Sequence, residues 1–93
     1  MMQLTEQDIL AFLLAHAAET LEMPLDELQR IDRDTPIVEG LRLDSLRQVV
    51  FVTGVEEHFG FEFEPEELQR LAAGTIGDLM RVIQERAASA QPS

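Results

Sequence analysis

The segment from Ser45 to Phe59 constrains the fold most, because it is a proline-free stretch between a candidate N-cap and a candidate C-cap. Asp44 and Ser45 are both residue types that cap helix N-termini, and Gly60 is the residue type that most often follows a helix C-terminus. At about 100° per residue, the apolar side chains of this predicted helix fall on two faces. The first face carries Phe51, Val52, Val55 and Phe59. The second carries Leu46, Val49 and Val50, with Thr53 and Glu57 beside them. The first face alone requires partner helices, so the segment predicts a helical bundle.

The partner helices are visible on both sides of this segment. Thr5 and Asp8 resemble a capping box, and the helical spacing of the apolar residues after them predicts a first helix from about residue 6 to about residue 20. A long connection follows, with one helical turn predicted near Pro24 to Gln29. Its predicted anchors in the core are Leu25, Leu28, Ile37 and Leu41.

Two further helices follow Gly60. A short third helix is predicted to begin at Pro65 and to end near Leu71, because proline favours the first helical position. Thr75 is the predicted N-cap of a last helix with an apolar stripe of Ile76, Leu79, Met80 and Ile83. The predicted fold is therefore all-α: a four-helix bundle with a short third helix and a long connection between the first two helices. Residues 1–88 form its single domain, and residues 89–93 form a flexible C-terminal tail.

The net charge of the chain limits the classes of molecule that it can bind. Eighteen acidic residues against seven basic ones, all arginine, give a formal net charge of -11. Such a surface repels nucleic acid and anionic lipid and favours basic protein surfaces.

The absence of cysteine excludes disulfides and an intrinsic thiol nucleophile. The N-terminal apolar run lacks the basic start of a signal peptide and is interrupted by His16, which predicts a cytoplasmic protein with no membrane segment.

Ser45 and the second apolar face each permit two interpretations. The helix is either buried all round, or Leu46, Val49 and Val50 remain open as a docking strip. Ser45 is either a helix cap or a site of chemistry. A hydrolytic site is disfavoured, since no G-x-S-x-G motif surrounds Ser45 and the two histidines lie on predicted helices. No metal site is predicted. The segment that begins at Asp32 starts like a calcium-binding loop, but it lacks the glycine and the glutamate that such a loop requires.

Two segments together match a known family. "PIVEGLRLDSLRQVVFVTGVEEHFGFEFEPEEL", followed by "GTIGDLM", resembles the acyl carrier protein family, the carriers of fatty-acid, polyketide and nonribosomal peptide synthesis. The most specific part is Asp44-Ser45-Leu46 at the start of a helix that ends in "EEHFG". The resemblance implies that Ser45 receives 4'-phosphopantetheine from coenzyme A and that Asp44 lies against the transferase and its Mg2+. It also implies a carrier rather than an enzyme.

The resemblance further implies a set of partners and a face that meets them. The partners are a phosphopantetheinyl transferase, an acyl- or aminoacyl-loading ligase or acyltransferase, and a downstream synthase or transferase, all acting on a monomer. The implied partner-binding residues are Leu46, Val49, Val50, Thr53, Glu56 and Glu57. Arg47 and Val50 stand where bacterial fatty-acid carriers usually have acidic or polar residues, which predicts a free-standing carrier in a specialised pathway. The alternative is an unmodified helical interaction module in which Ser45 is only a cap.

Overall fold

The computed structural model describes residues 4–90, with side chains described up to residue 87. Within this range the helices are α1 (Glu6–Thr20), α2 (Leu25–Leu28), α3 (Ile37–Gly40), α4 (Ser45–Phe59), α5 (Pro65–Ala72) and α6 (Ile76–Ala90). Three of them, α1, α4 and α6, have 15 residues each, and α5 has 8. These four form the predicted bundle, and the short third helix is confirmed.

Helix α1 lies at the centre of the bundle, where it packs against both α4 and α6. The predicted capping box starts it: the Asp8 amide donates to the Thr5 hydroxyl at 3.1 Å, and the Thr5 amide donates to the Asp8 carboxylate at 3.3 Å. Its buried residues are Ile9, Leu13 and Ala17, which recur every four residues and so share one face. This face is the centre of the hydrophobic core.

The long connection contains two helical turns rather than one. The predicted turn is α2, whereas α3 was not predicted. Leu28, Ile37 and Leu41 are buried as expected, but Leu25 is 69% exposed, so its prediction as an anchor is wrong. Helix α2 has only one turn and can bury only one of its sides. Leu28 lies on the buried side, and Met23 and Ile31, which flank α2 in the sequence, are also buried. Leu25 is left facing solvent.

The start of α6 is held by the segment before α3. The Ile76 and Gly77 amides donate to the carbonyls of Thr35 and Arg33, each at 2.8 Å. Thr75 caps the helix, as predicted, and Asp78 accepts a hydrogen bond from the Thr75 amide in return. The predicted stripe of Ile76, Leu79, Met80 and Ile83 is buried. Helix α6 continues to Ala90, into the predicted tail 89–93, of which residues 91–93 lie outside the described residues. None of the helices described is both long and apolar enough to span a membrane.

A histidine and a glycine set the contact between α1 and α4. The His16 Nε2 atom lies 3.0 Å from the Phe51 carbonyl oxygen, and the His16 ring stacks on Phe12 with centroids 5.2 Å apart. A Cβ atom at Gly54 would lie 2.1 Å from Cε1 of His16. The close approach of the two helices therefore requires glycine at position 54. His58 is exposed, and its ring stacks on Phe12 with centroids 3.9 Å apart.

Candidate functional site

Asp44 is the N-cap of α4. Its backbone is extended, with φ -101 and ψ -174, and its Oδ1 atom accepts a hydrogen bond from the Arg47 amide at 2.8 Å. Ser45 is the first residue of the helix and is exposed. Its hydroxyl takes no part in the hydrogen bonds found among residues 4–90. The interpretation of Ser45 as the cap is therefore wrong, because Asp44 already satisfies the amide that a cap would serve.

The position of Ser45 suits a phosphate ester. The N-terminus of a 15-residue helix is the positive end of its dipole, where backbone N–H groups point outward and favour anions. The Oδ2 atom of Asp44 is not engaged in a hydrogen bond with the part of the chain that the structure describes. An exposed hydroxyl thus lies beside an available carboxylate oxygen. Among residues 4–90, no group of three or more histidine, aspartate or glutamate side chains is placed to hold a metal ion.

The turn before Asp44 has a defined hydrogen-bond pattern. The Leu43 amide donates to the Val38 carbonyl at 2.9 Å, and the Arg42 amide donates to the Glu39 carbonyl at 3.3 Å. Arg42 has φ 53, in the left-handed region. These two hydrogen bonds and the left-handed residue form a Schellman motif that ends α3 with arginine where glycine is usual. The chain therefore enters α4 through a short turn that already contains strain.

The Arg47 side chain links this turn to the C-terminal end of α1. Its Nε atom donates to the Arg42 carbonyl at 3.2 Å, and its Nη2 atom donates to the Leu21 carbonyl at 3.1 Å. Sequence reasoning identified Arg47 only as a departure from the family pattern. Both acceptors are main-chain carbonyls, which carry no residue-specific signal, and Leu21 is 26 positions away. The contact was therefore not readable from the sequence.

The outer face of α4 is an open apolar strip. Leu46 is 73% exposed, Val49 62% and Val50 43%, whereas Phe51 and Val55 on the opposite face are buried. The interpretation that the helix is buried all round is therefore wrong, and the two-faced helix is confirmed. Such an apolar strip on a small protein is characteristic of an interaction site.

An acidic groove continues this strip toward the end of α4. Its walls include Thr53, Glu57 and Glu62, all exposed, and it encloses about 450 Å³. Glu56 also lines it, but its Oε2 atom accepts a hydrogen bond from the Phe63 amide at 2.7 Å. Glu56 therefore has a structural contact in addition to its predicted place in the partner-binding set. The groove presents negative charge beside an apolar surface, a combination that complements basic protein surfaces.

A small apolar cavity of about 30 Å³ lies on the inner side of α4. Residues of α3, α4, α5 and α6 line it, and Gln48 is the polar member among them. Helix α5 is held over this region by Arg86 of α6, which donates to the Glu67 carboxylate at 2.5 Å and to the Glu62 carbonyl at 2.8 Å. The volume is on the order of one water molecule, so the bundle is closed in this state.

Comparison with known proteins agrees with this geometry. A family model described as "Phosphopantetheine attachment site" matches residues 11–83. The acyl carrier protein of Coprothermobacter proteolyticus is 38% identical over 58 residues, which cover 62% of this chain and 68% of that protein. The acyl carrier protein of Chlamydia trachomatis serovar D is 36% identical over 53 residues, 57% of this chain and 66% of that protein.

A solved structure supports the fold. The solution structure of a candidate acyl carrier protein from Anaplasma phagocytophilum superimposes with a TM-score of 0.74 at 24% identity and covers 100% of both chains. The match to the family model extends from α1 into α6, and so includes all of α4 with Asp44 and Ser45. The chain therefore belongs to the acyl carrier protein family, whose members are carriers rather than enzymes and take 4'-phosphopantetheine as their covalent cofactor.

Proposed function

We propose that this chain is an acyl carrier protein that carries 4'-phosphopantetheine on Ser45. The observation that carries the proposal is the division of roles at the start of α4, where Asp44 caps the helix and the Ser45 hydroxyl stays exposed. In the modification, Ser45 Oγ attacks the phosphorus of coenzyme A that bears pantetheine, adenosine 3',5'-bisphosphate leaves, and a base of the transferase takes the serine proton. The attached group supplies the thiol that this cysteine-free chain lacks, and its thioesters hold the acyl or aminoacyl cargo.

Asp44 has a second role in this proposal. Its Oδ1 atom is committed to the Arg47 amide, and Oδ2 is available to the transferase and its Mg2+. The helix dipole adds a favourable interaction with the new phosphodiester. This chain's own residues thus orient the nucleophile and accommodate the anion that results.

The inner cavity supports an acyl cargo in particular. Its lining is apolar apart from Gln48, so a hydrocarbon chain gains burial there. A cavity of about 30 Å³ is too small for a hydrocarbon chain, so the helices that line it have to move apart to admit one. We infer that longer chains enter by displacing α5.

The outer face of α4 supports the partner assignments. The strip of Leu46, Val49 and Val50 and the groove beside Thr53 and Glu57 suit brief docking on basic, partly apolar enzyme surfaces. These enzymes are the phosphopantetheinyl transferase, a loading ligase or acyltransferase and a downstream synthase or transferase. Val50 extends the apolar strip, which supports dedicated partners in a specialised pathway.

The test is the intact mass of the protein before and after incubation with coenzyme A, Mg2+ and a transferase of broad specificity. Ser45→Ala is the control, and it is expected to fold normally because Asp44 provides the cap. A gain of one phosphopantetheine by the wild type alone supports the proposal. A gain by both proteins would assign the site elsewhere, and a folded wild type that stays unmodified would favour the interaction module, in which only the exposed strip on α4 has a function.

A further inference from the structure

Arg47 connects three separate parts of the chain around Ser45. Its amide donates to the N-cap carboxylate of Asp44, its Nε atom to the Arg42 carbonyl and its Nη2 atom to the Leu21 carbonyl. Leu21 is the C-cap of α1, and Arg42 directly follows the C-cap of α3. One residue therefore joins the ends of two helices to the first turn of a third.

Both ends that Arg47 binds are points where the chain reverses direction through a left-handed residue. Glu22, directly after Leu21, has φ 54, and Arg42 has φ 53. Non-glycine residues adopt this conformation at a cost, and such turns persist when the surrounding contacts hold them in place. The carbonyls at a helix end also lack intrahelical partners. The guanidinium supplies a donor for one such carbonyl, that of Leu21, and a second donor for the Arg42 carbonyl just beyond the end of α3. It also places positive charge at the negative end of α1.

These contacts act on the nucleophile through the main chain. Arg42 is three residues before Ser45, and Arg47 is two residues after it, so the hydrogen bond between them closes a loop around Ser45. Neither contact uses the Ser45 hydroxyl. The backbone of Ser45 is thereby fixed while its side chain stays free to react.

We propose that Arg47 is a positioning residue for the modification of Ser45: it fixes the turn that presents the serine hydroxyl to the transferase. This inference rests on the proposed function. A nucleophile that is displaced by a fraction of an ångström reacts more slowly after binding, so the loss of Arg47 lowers kcat more than it raises KM.

The experiment measures kcat and KM for phosphopantetheine transfer to four forms of the protein, followed by intact mass. Arg47→Met keeps the aliphatic stem and removes the donors, and Arg47→Lys keeps the charge with a single ammonium group. Arg30→Ala is the matched control, because Arg30 is an exposed cation outside this turn whose side chain takes no part in the ion pairs found among residues 4–90. Amide hydrogen exchange at residues 47 and 48 reports the order of the first turn independently of the transferase.

For Arg47→Met we expect kcat to fall about tenfold or more, with KM within about twofold of the wild type. For Arg47→Lys we expect a kcat between those of Arg47→Met and the wild type, and for Arg30→Ala we expect the kcat and KM of the wild type. Exchange in the first turn of α4 becomes faster in Arg47→Met, while exchange in α6 stays unchanged.

A wild-type kcat in Arg47→Met overturns the inference. So does an effect confined to KM that Arg30→Ala shares and added salt abolishes, because that pattern identifies charge attraction to the transferase rather than positioning of the serine. If Arg47→Met does not fold, a wild-type kcat in Arg47→Lys together with unchanged exchange has the same consequence. A wild type that takes up no mass refutes the proposed function itself, whereas a modified wild type with an unaffected Arg47→Met refutes only the role of Arg47.

Discussion

Replacing Gly54 with alanine is expected to destabilise the bundle, although alanine is the better helix former. Gly54 lies in the middle of α4, where alanine ordinarily adds about 1 kcal/mol to helix stability. Here the new methyl group would lie 2.1 Å from Cε1 and 2.4 Å from Nε2 of His16. The imidazole has to move, and its movement breaks the contact that joins α4 to α1.

The displacement of His16 has two energetic consequences. Its hydrogen bond to the Phe51 carbonyl, at 3.0 Å, is worth about 0.5–1.5 kcal/mol. Forcing an extra carbon into a packed contact costs about 1–3 kcal/mol more, because the ring also stacks on Phe12. Subtracting the gain in helix propensity leaves a net loss of roughly 2 kcal/mol. In a domain of this size, that loss lowers Tm by about 8–16 °C.

The assay is urea denaturation followed by far-UV circular dichroism, carried out as a double-mutant cycle with His16→Ala. Removing the imidazole removes the clash, so in the His16→Ala background Gly54→Ala is expected to raise the free energy of unfolding by about 1 kcal/mol. The sign of the effect therefore depends on His16. If Gly54→Ala stabilised the protein equally in both backgrounds, the explanation of Gly54 by close helix approach would be refuted.

Three further predictions follow from the ends of the helices. Asp44→Ala should lower the free energy of unfolding, measured by urea denaturation, by about 1 kcal/mol. Ser45→Ala should change the same free energy by less than about 0.5 kcal/mol. Equal losses in the two variants would contradict the assignment of Asp44 as the cap. Arg42→Gly relieves a left-handed non-glycine residue and should raise stability by about 0.5 kcal/mol, while Arg42→Val should lower it; the opposite order would show that the turn is unstrained. The Thr75 backbone N–H, aided by the Thr75 hydroxyl and the charge of Arg81, lowers the pKa of Asp78 below 3.8. The contribution of Asp78 is therefore complete above about pH 5 and lost as the pH falls through that lower pKa. Asp78→Asn should therefore weaken the loss of stability below about pH 5, and an unchanged pH profile would argue against this assignment.

The features that were predictable from the sequence are those determined by local residues. Thr5, Gly60 and Thr75 mark helix ends through their own side chains or backbone freedom, so the bounds of α1 and α4 and the start of α6 were predicted correctly. Helix α3 was missed because four residues are too few for an apolar period to appear.

The features that were missed depend on contacts distant in the chain. The exposure of Leu25 follows from which neighbours fill the core beneath α2, and the contacts of Arg47 follow from two carbonyls brought together by the fold. The choice between Asp44 and Ser45 as cap also required coordinates, since both residue types serve that role. Tertiary packing, rather than propensity, decided the first two of these, whereas the cap was decided by a local hydrogen bond from the Arg47 amide.

The order of the two residues at the start of α4 has a chemical consequence. A serine at the N-cap accepts a hydrogen bond from the first turn, which occupies a lone pair of its oxygen and fixes its rotamer. At the first helical position the backbone is fixed by the helix, but the hydroxyl faces solvent and keeps both lone pairs.

Because Asp44 takes the capping role through one carboxylate oxygen, the protein obtains a stable helix start without engaging its nucleophile. The same helix end then presents outward N–H groups to the phosphate that the serine is proposed to receive. The stability of α4 and the reactivity of Ser45 are therefore assigned to different side chains, and Asp44→Ala and Ser45→Ala should separate them: the first should lower stability, and the second should abolish modification.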